Sequence, residues 1–199
     1  MSDRLRAFLA VSLPDEARAC AAEAVERLRS AVPSDVRWVA AENQHLTLKF
    51  LGEIAEDRID ALVARAGAKL ATVAPFEVAL AGFGAFPSAR EARVLWLGVA
   101  RGSAALAKLA RKLDTAARVA GAERDRRPFS AHLTLGRLRE PARVEIEKLA
   151  PPTSVTWTVA EVVLYESRLA PDGARHVPLA HLALGAGVEP SDNEFAPES

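Results

Sequence analysis

A histidine followed two positions later by a threonine occurs twice in the same four-residue setting, His45-Leu46-Thr47-Leu48 and His132-Leu133-Thr134-Leu135. The chain has only four histidines and seven threonines, so two of each in one repeated tetrapeptide is far more than chance placement gives. In an extended strand alternate side chains face opposite ways, so each copy anchors itself by two leucines and presents an imidazole and a hydroxyl on the other face. Duplication for packing alone would explain the leucines but not the polar pair. Two imidazoles facing one another suit a reaction that takes one proton and gives another, because an unperturbed pKa near ~6.5 lets one ring be neutral while its partner is charged. The paired hydroxyls supply neutral donors of the kind that hold nonbridging phosphate oxygens. Metal ligation is the rival use of two histidines. It needs a third protein ligand, and no HxH, HExxH or carboxylate-rich motif accompanies them, so no metal and no cofactor are expected.

Around the repeated motif stand further candidates. Arg127, in RPF before the second copy, and Arg137 just after it could add positive charge beside a phosphate, and one of the two is expected to reach the site. Lys49 shares strand parity with His45 and is placed at the mouth or on the surface; Arg93 opens the RVLWLG strand as a ligand contact or a structural pair. Trp38, Phe50 and Phe129 are candidates for stacking a base, although Phe50, opposite in parity to His45, reads as core. Trp96 and Trp157 read as core, and His176 and His181 as belonging to the last strand and its surface.

The elements that must position these residues follow from periodicity and punctuation. RLRAFLAVSLP reads as a strand stopped by Pro14, and residues 14–31 as a helix with acids first and bases last. VRWVA and HLTLKFLG are short strands, EDRIDALVARAGAKLAT a second helix, and FEVALAGFGAF and ARVLWLGVA two strands joined by PSARE. A third helix is expected in residues 103–121, with Ser103 as its N-cap, Leu106, Leu109 and Leu113 as its buried stripe and Gly121 as its stop. The second motif strand comes next, then a short helix at 141–149, then SVTWTVAEVVLYESRL as one long strand or a bent pair, and ARHVPLAHLAL. Both halves run strand, helix, motif strand, which points to a duplicated α+β lobe of mainly antiparallel sheet with outer helices.

Composition sets the outer limits. The 199 residues are half hydrophobic, enough for one good core or two small cooperating lobes, and the formal net charge is zero, which argues against a broad nucleic-acid-binding field. Residues 186–199 carry four acids and no base, so the remainder keeps a modest positive surplus. That acidic stretch has nothing to pack and is expected to be disordered. Cys20 is the only cysteine, which rules out an internal disulfide and fits a reducing, cytoplasmic home. No apolar run approaches the ~20 residues of a membrane helix, and a soluble monomer is expected.

With these motifs on the page, the chain resembles the 2H phosphoesterases, and within them the bacterial and archaeal RNA 2′,3′-cyclic phosphodiesterases, also called 2′-5′ RNA ligases. The likeness runs from RAFLAVSLP through HLTLKFLGE, RVLWLGV and RPFSAHLTLGR to LYESRLAPDGARHVPL. It implies a single bilobal domain over residues 1–185, two pseudo-symmetric lobes with a groove between them, and hydrolysis of RNA 2′,3′-cyclic phosphate ends to 2′-phosphomonoesters without a metal. By position, His45 resembles the proton donor to the departing 3′ oxygen, His132 the base that activates water, and Thr47 and Thr134 the phosphate holders. Reversible 2′-5′ ligation is the companion activity implied. A noncatalytic RNA-end binder, or a 2H enzyme for a small cyclic nucleotide or an ADP-ribose cyclic phosphate, would use the same groove.

Overall fold

The computed structural model describes residues 3–32, 35–170 and 173–185. The expected acidic tail, residues 186–199, lies outside the described residues. β1 (Arg4–Ser12) leads into α1 (Asp15–Arg29), whose N-cap is Pro14 and whose acids and bases sit at opposite ends in the sense the helix dipole favours. Then come β2 (Val36–Trp38), β3 (His45–Ala55), α2 (Ile59–Leu70), β4 (Phe76–Phe86) and β5 (Ala92–Arg101). α3 (Ser103–Ala117), β6 (His132–Ala142), β7 (Val155–Val159), β8 (Glu161–Ala170) and β9 (Gly173–Ala183) complete the order.

Two expectations change and one is narrowed. The N-cap of α3 is Gly102, not Ser103: its φ of 82° lies in the left-handed region, and a Cβ there would stand 2.4 Å from the Glu77 carbonyl oxygen. Residues 141–149 do not form a helix, because Ala142 pairs with Ala92 and draws β6 onward; only a single 3-10 turn follows, at Ile146–Lys148. Of the two forms expected for the segment after Ser154, the structure has the pair: β7 pairs with β4 while β8 pairs with β1.

The nine strands of the described residues form one antiparallel sheet in the order β7-β4-β5-β6-β3-β1-β8-β9, with β2 paired to β6. The motif strands β3 and β6 are its central neighbours, joined at the pair Leu46 and Leu133. The sheet curls, its helices lie on the outer side, and the fold is α+β as the sequence indicates. α3, which follows β5, packs behind β3, and α1, which follows β1, packs against β7. One hydrophobic cluster runs through both halves, from Leu9 and Val11 to Leu95, Leu97 and Leu133.

The two motif strands share more than their sequence repeat. On β3 the pairing moves from Ala10 with Thr47 to Leu9 with Lys49, so two residues oppose one and the strand bulges at Leu48. On β6 it moves from Trp96 with Thr134 to Leu95 with Gly136, a bulge at Leu135. Both strands consequently have the same alternation of buried and open positions over nine residues. A bulge reverses facing, and this corrects the parity argument for Lys49 and Phe50. Lys49 turns to the back, 2% exposed, and Phe50 turns to the front, 64% exposed.

Burying Lys49 is tolerable because its ammonium is fully engaged. It lies 2.8 Å from Asp114 on α3 and 3.0 Å from Asp125, and donates to the Glu123 carbonyl at 2.6 Å. Asp114 also accepts the Asp125 amide at 3.0 Å, tying α3 to the loop that leads into β6. Burial works to raise the Asp114 pKa, but these donors outweigh it and hold the carboxyl below its ordinary value. Replacing Lys49 with Ala leaves the partly buried Asp114 without its cation, while Asp125, more than half exposed, is solvated by water, so urea denaturation should show a loss of about 1 to 3 kcal/mol. A change below ~1 kcal/mol would contradict this account.

Candidate active site

On the concave face, where β3 meets β6, a cavity of about 990 Å³ is lined by all four motif side chains: His45, Thr47, His132 and Thr134. The antiparallel pair Leu46 with Leu133 sets the register, so on the opposite face His45 stands diagonal to His132. Diagonal neighbours on adjacent strands are about 7–8 Å apart, which leaves room for one tetrahedral group between the two rings.

Each imidazole is held in the same way. The Nδ1–H of His45 donates to the Asn43 carbonyl at 2.7 Å, and that of His132 to the Ser130 carbonyl at 2.8 Å. A carbonyl only accepts, so Nδ1 must carry a hydrogen in both, and Nε2 is left as the nitrogen that exchanges protons. Asn43 does double duty: its side-chain amide donates to the Ala174 carbonyl on β9 at 2.7 Å, fixing the residue whose backbone orients His45.

Both rings are easier to deprotonate than free histidine. Burial pushes His45 down to about 4, assisted by its neighbours His176 and His132, while the bond to Asn43 works the other way. Burial also lowers His132, with the Arg137 charge adding to it and the Ser130 bond opposing it. The unoccupied site therefore holds two neutral rings near pH 7, unlike the one-charged pair expected from reference values.

Aromatic side chains that the sequence did not mark out wall in the two rings. Phe8 stacks on His45 at 4.7 Å, and His176 meets the edge of both, 5.1 Å from His45 and 4.8 Å from Phe8. His176 thus faces the cavity, not the outer surface, because the β8–β9 hairpin curls with the sheet. On the other side Phe86 meets His132 edge-on at 5.0 Å and Trp96 lies 6.1 Å away. Trp96 crosses Gly84 so closely that a Cβ there would collide with its ring, so this residue read as core also shapes the site.

Of the two arginines singled out, Arg137 lines the cavity and Arg127 is an exposed residue outside it. Arg6, Arg37 and Arg175 line it too, and among the described residues Glu42 is the one acid in its lining. Trp38 and Phe50 are at its wall; Phe129 packs on the core, and Arg93 is exposed outside the cavity. His181 lies on the surface, 3.2 Å from Glu161. Among the described residues no group of three or more His, Cys, Asp or Glu is gathered to hold a metal ion, and no helix is long and apolar enough to cross a membrane.

The model of the 2′-5′ RNA ligase superfamily matches residues 14–170, most of the chain and both motif strands. The chain belongs to that superfamily. An RNA 2′,3′-cyclic phosphodiesterase of Escherichia coli is 35% identical over 188 residues, covering 92% of this chain and 99% of that one. Another, from Geobacillus stearothermophilus, is 34% identical over 168 residues; the chain spans 52% of its length. Among solved structures, a protein of Thermus thermophilus, TT0787, superposes with a TM-score of 0.78 at 30% identity, covering 93% of this chain and 100% of that one. The superfamily membership fits the paired motifs and the bilobal curled sheet.

Titration of the free protein followed by histidine NMR should find His45 changing charge near pH 4 and His132 below ~6.5. Adding inorganic phosphate should raise both, since an anion between the rings favours their charged forms. Rings that titrate at or above the reference value without phosphate would refute the burial argument.

Proposed function

We propose that this chain hydrolyses the 2′,3′-cyclic phosphate at an RNA end to a 2′-phosphomonoester, using His45 and His132 as acid and base without a metal. It is an RNA 2′,3′-cyclic phosphodiesterase by class, as are relatives that share about a third of their residues with it over most of the chain. The observation that carries the mechanism is the matched pair of imidazoles, each with Nδ1 tied to a carbonyl two residues back and each beside a threonine in the same cavity.

The cyclic phosphate lies between the rings, its free oxygens accepting from Thr47, Thr134 and Arg137. Water attacks phosphorus and gives a proton to Nε2 of His132. The P–O3′ bond breaks on the opposite side, and the departing oxygen takes the proton on Nε2 of His45. The product carries a 3′-hydroxyl and a 2′-phosphate, and solvent exchange restores both rings. The same displacement with a 5′-hydroxyl in place of water gives a 2′-5′ linkage, and its reversal, attack by the 3′-hydroxyl, cleaves that linkage back to the cyclic phosphate.

For His45 to act as the acid it must be protonated, although its pKa is about 4 in the unoccupied site. The substrate itself supplies the correction. A unit negative charge about 4 Å from the ring, at an effective dielectric of ~20, is worth ~4 kcal/mol, or about three pKa units. That lets His45 hold a proton near neutral pH once the phosphate is bound; the same charge favours a proton on His132 too, so the pair shares one proton and reacts from the arrangement that places it on His45. Hence kcat/KM should already be falling below pH ~6.5, because neither ring of the free site keeps its proton up to the ordinary histidine value, while kcat should hold to higher pH. Profiles that coincide would contradict substrate-dependent protonation.

Alanine at His45 or at His132 should each lower turnover by ~10² to 10⁴, and EDTA should leave the wild type unaffected. The test is a 2′,3′-cyclic-phosphate oligonucleotide with product analysis of which hydroxyl keeps the phosphate. Undiminished turnover in either variant, or a 3′-phosphate product, would overturn the mechanism.

A further inference from the structure

The groove is larger than the reaction centre requires. At about 990 Å³ it sits at the top of the roughly 300–1,000 Å³ range of sites that enclose a whole small ligand, whereas one cyclic nucleotide calls for far less. Its wall is also unusual in what it leaves open. Among the described residues three large hydrophobic side chains are exposed, and two of them, Phe50 at 64% and Leu169 at 74%, line this groove. Open apolar rings beside arginines are the combination by which proteins hold single-stranded nucleic acid.

Phe50 owes its position to the bulge at Leu48, which turns it from the core to the groove. It pairs across strands with Phe8, and their rings are 6.1 Å apart; Phe8 in turn stacks on His45. A file of rings therefore leads away from the reacting phosphate along the β1–β3 side. Arg6, two residues before Phe8 on β1, also lines the groove, a diagonal neighbour of Phe50. Such neighbours are about 7–8 Å apart, a separation that one nucleotide can bridge between its base and its phosphate.

We propose that Phe50 and Arg6 form a subsite for the nucleotide that precedes the cyclic end, so that the preferred substrate is an RNA strand and not a free cyclic mononucleotide. The base stacks on the open face of Phe50, and the phosphate linking it to the terminal nucleoside accepts hydrogen bonds from Arg6. This rests on the reaction proposed above but specifies what that reaction does not: how the substrate continues beyond its last ribose.

The test compares a 2′,3′-cyclic mononucleotide with a trinucleotide ending in the same cyclic phosphate. Wild type should favour the trinucleotide in kcat/KM by about 5- to 150-fold, the range that one stacked base supplies. Phe50→Ala should abolish most of that preference while leaving mononucleotide turnover within about threefold. Arg6→Gln should weaken the preference and make the trinucleotide's salt dependence shallower by about 0.7 in log–log slope, one phosphate contact. No preference in the wild type, a preference that survives both substitutions, or one lost on Trp38→Ala instead would overturn the subsite. So would an equal loss on both substrates in Phe50→Ala, since Phe50 would then act by supporting Phe8. Should neither substrate be hydrolysed, the reaction is misassigned, and binding to the His132→Ala protein decides the subsite separately. Tighter binding of the trinucleotide that Phe50→Ala removes would sustain it; equal binding of the two would sink it.

Discussion

The site depends on how two central strands meet. β3 and β6 touch at Leu46 and Leu133, and those leucines, buried at 1% and 0% exposure, decide which face each histidine takes. A slip of one residue would send His45 and Thr47 into the core and bring the leucines into the groove, at the full cost of exposing apolar surface and burying unpaired polar groups. The hydrophobic effect, acting behind the sheet, thus fixes polar geometry in front of it. The bulge four residues into each strand then ends the alternation, so the next open positions carry Phe50 and Arg137 into the groove instead of more motif-like residues.

The same packing explains the electrostatic state of the rings. Phe8 and Phe86 exclude water from one side of each imidazole, which penalises the charged form and leaves both neutral until an anion arrives. A permanently charged pair would bind phosphate more tightly but could not accept a proton. Two neutral rings with Nδ1 fixed keep an accepting nitrogen available, and in the proposed reaction the entering phosphate recruits the proton that the acid then gives.

Much of this was legible in the sequence, and the exceptions have physical causes. The motif strands, their presented faces, three helices and the α+β class follow from periodicity and from one repeat. Strict alternation was then carried one residue too far, because a bulge has no signature in residue type: Lys49 looked like a mouth residue and Phe50 like core, and the structure exchanges them. His176 and Asn43 were missed as site neighbours because they belong to it only through long-range curling, which brings β9 across to His45 and to the turn before it. Arg127 and Arg137 flank the same motif, and proximity in sequence could not separate the one on the β6 ladder from the one in the preceding loop.

The order of the strands has one more consequence. Cut between β4 and β5, the chain would yield two pieces whose strands interleave in the finished sheet: β4 from the first lies between β7 and β5 of the second, and the first piece's pair β3-β1 lies between β6 and β8 of the second. Their helices are exchanged as well, α1 against β7 and α3 behind β3. Neither fragment could close a core by itself, yet together they carry every surface the other needs. Each half of the chain therefore depends on strands and helix faces that the other supplies, and the apparent two-lobed symmetry is not a seam along which the molecule comes apart.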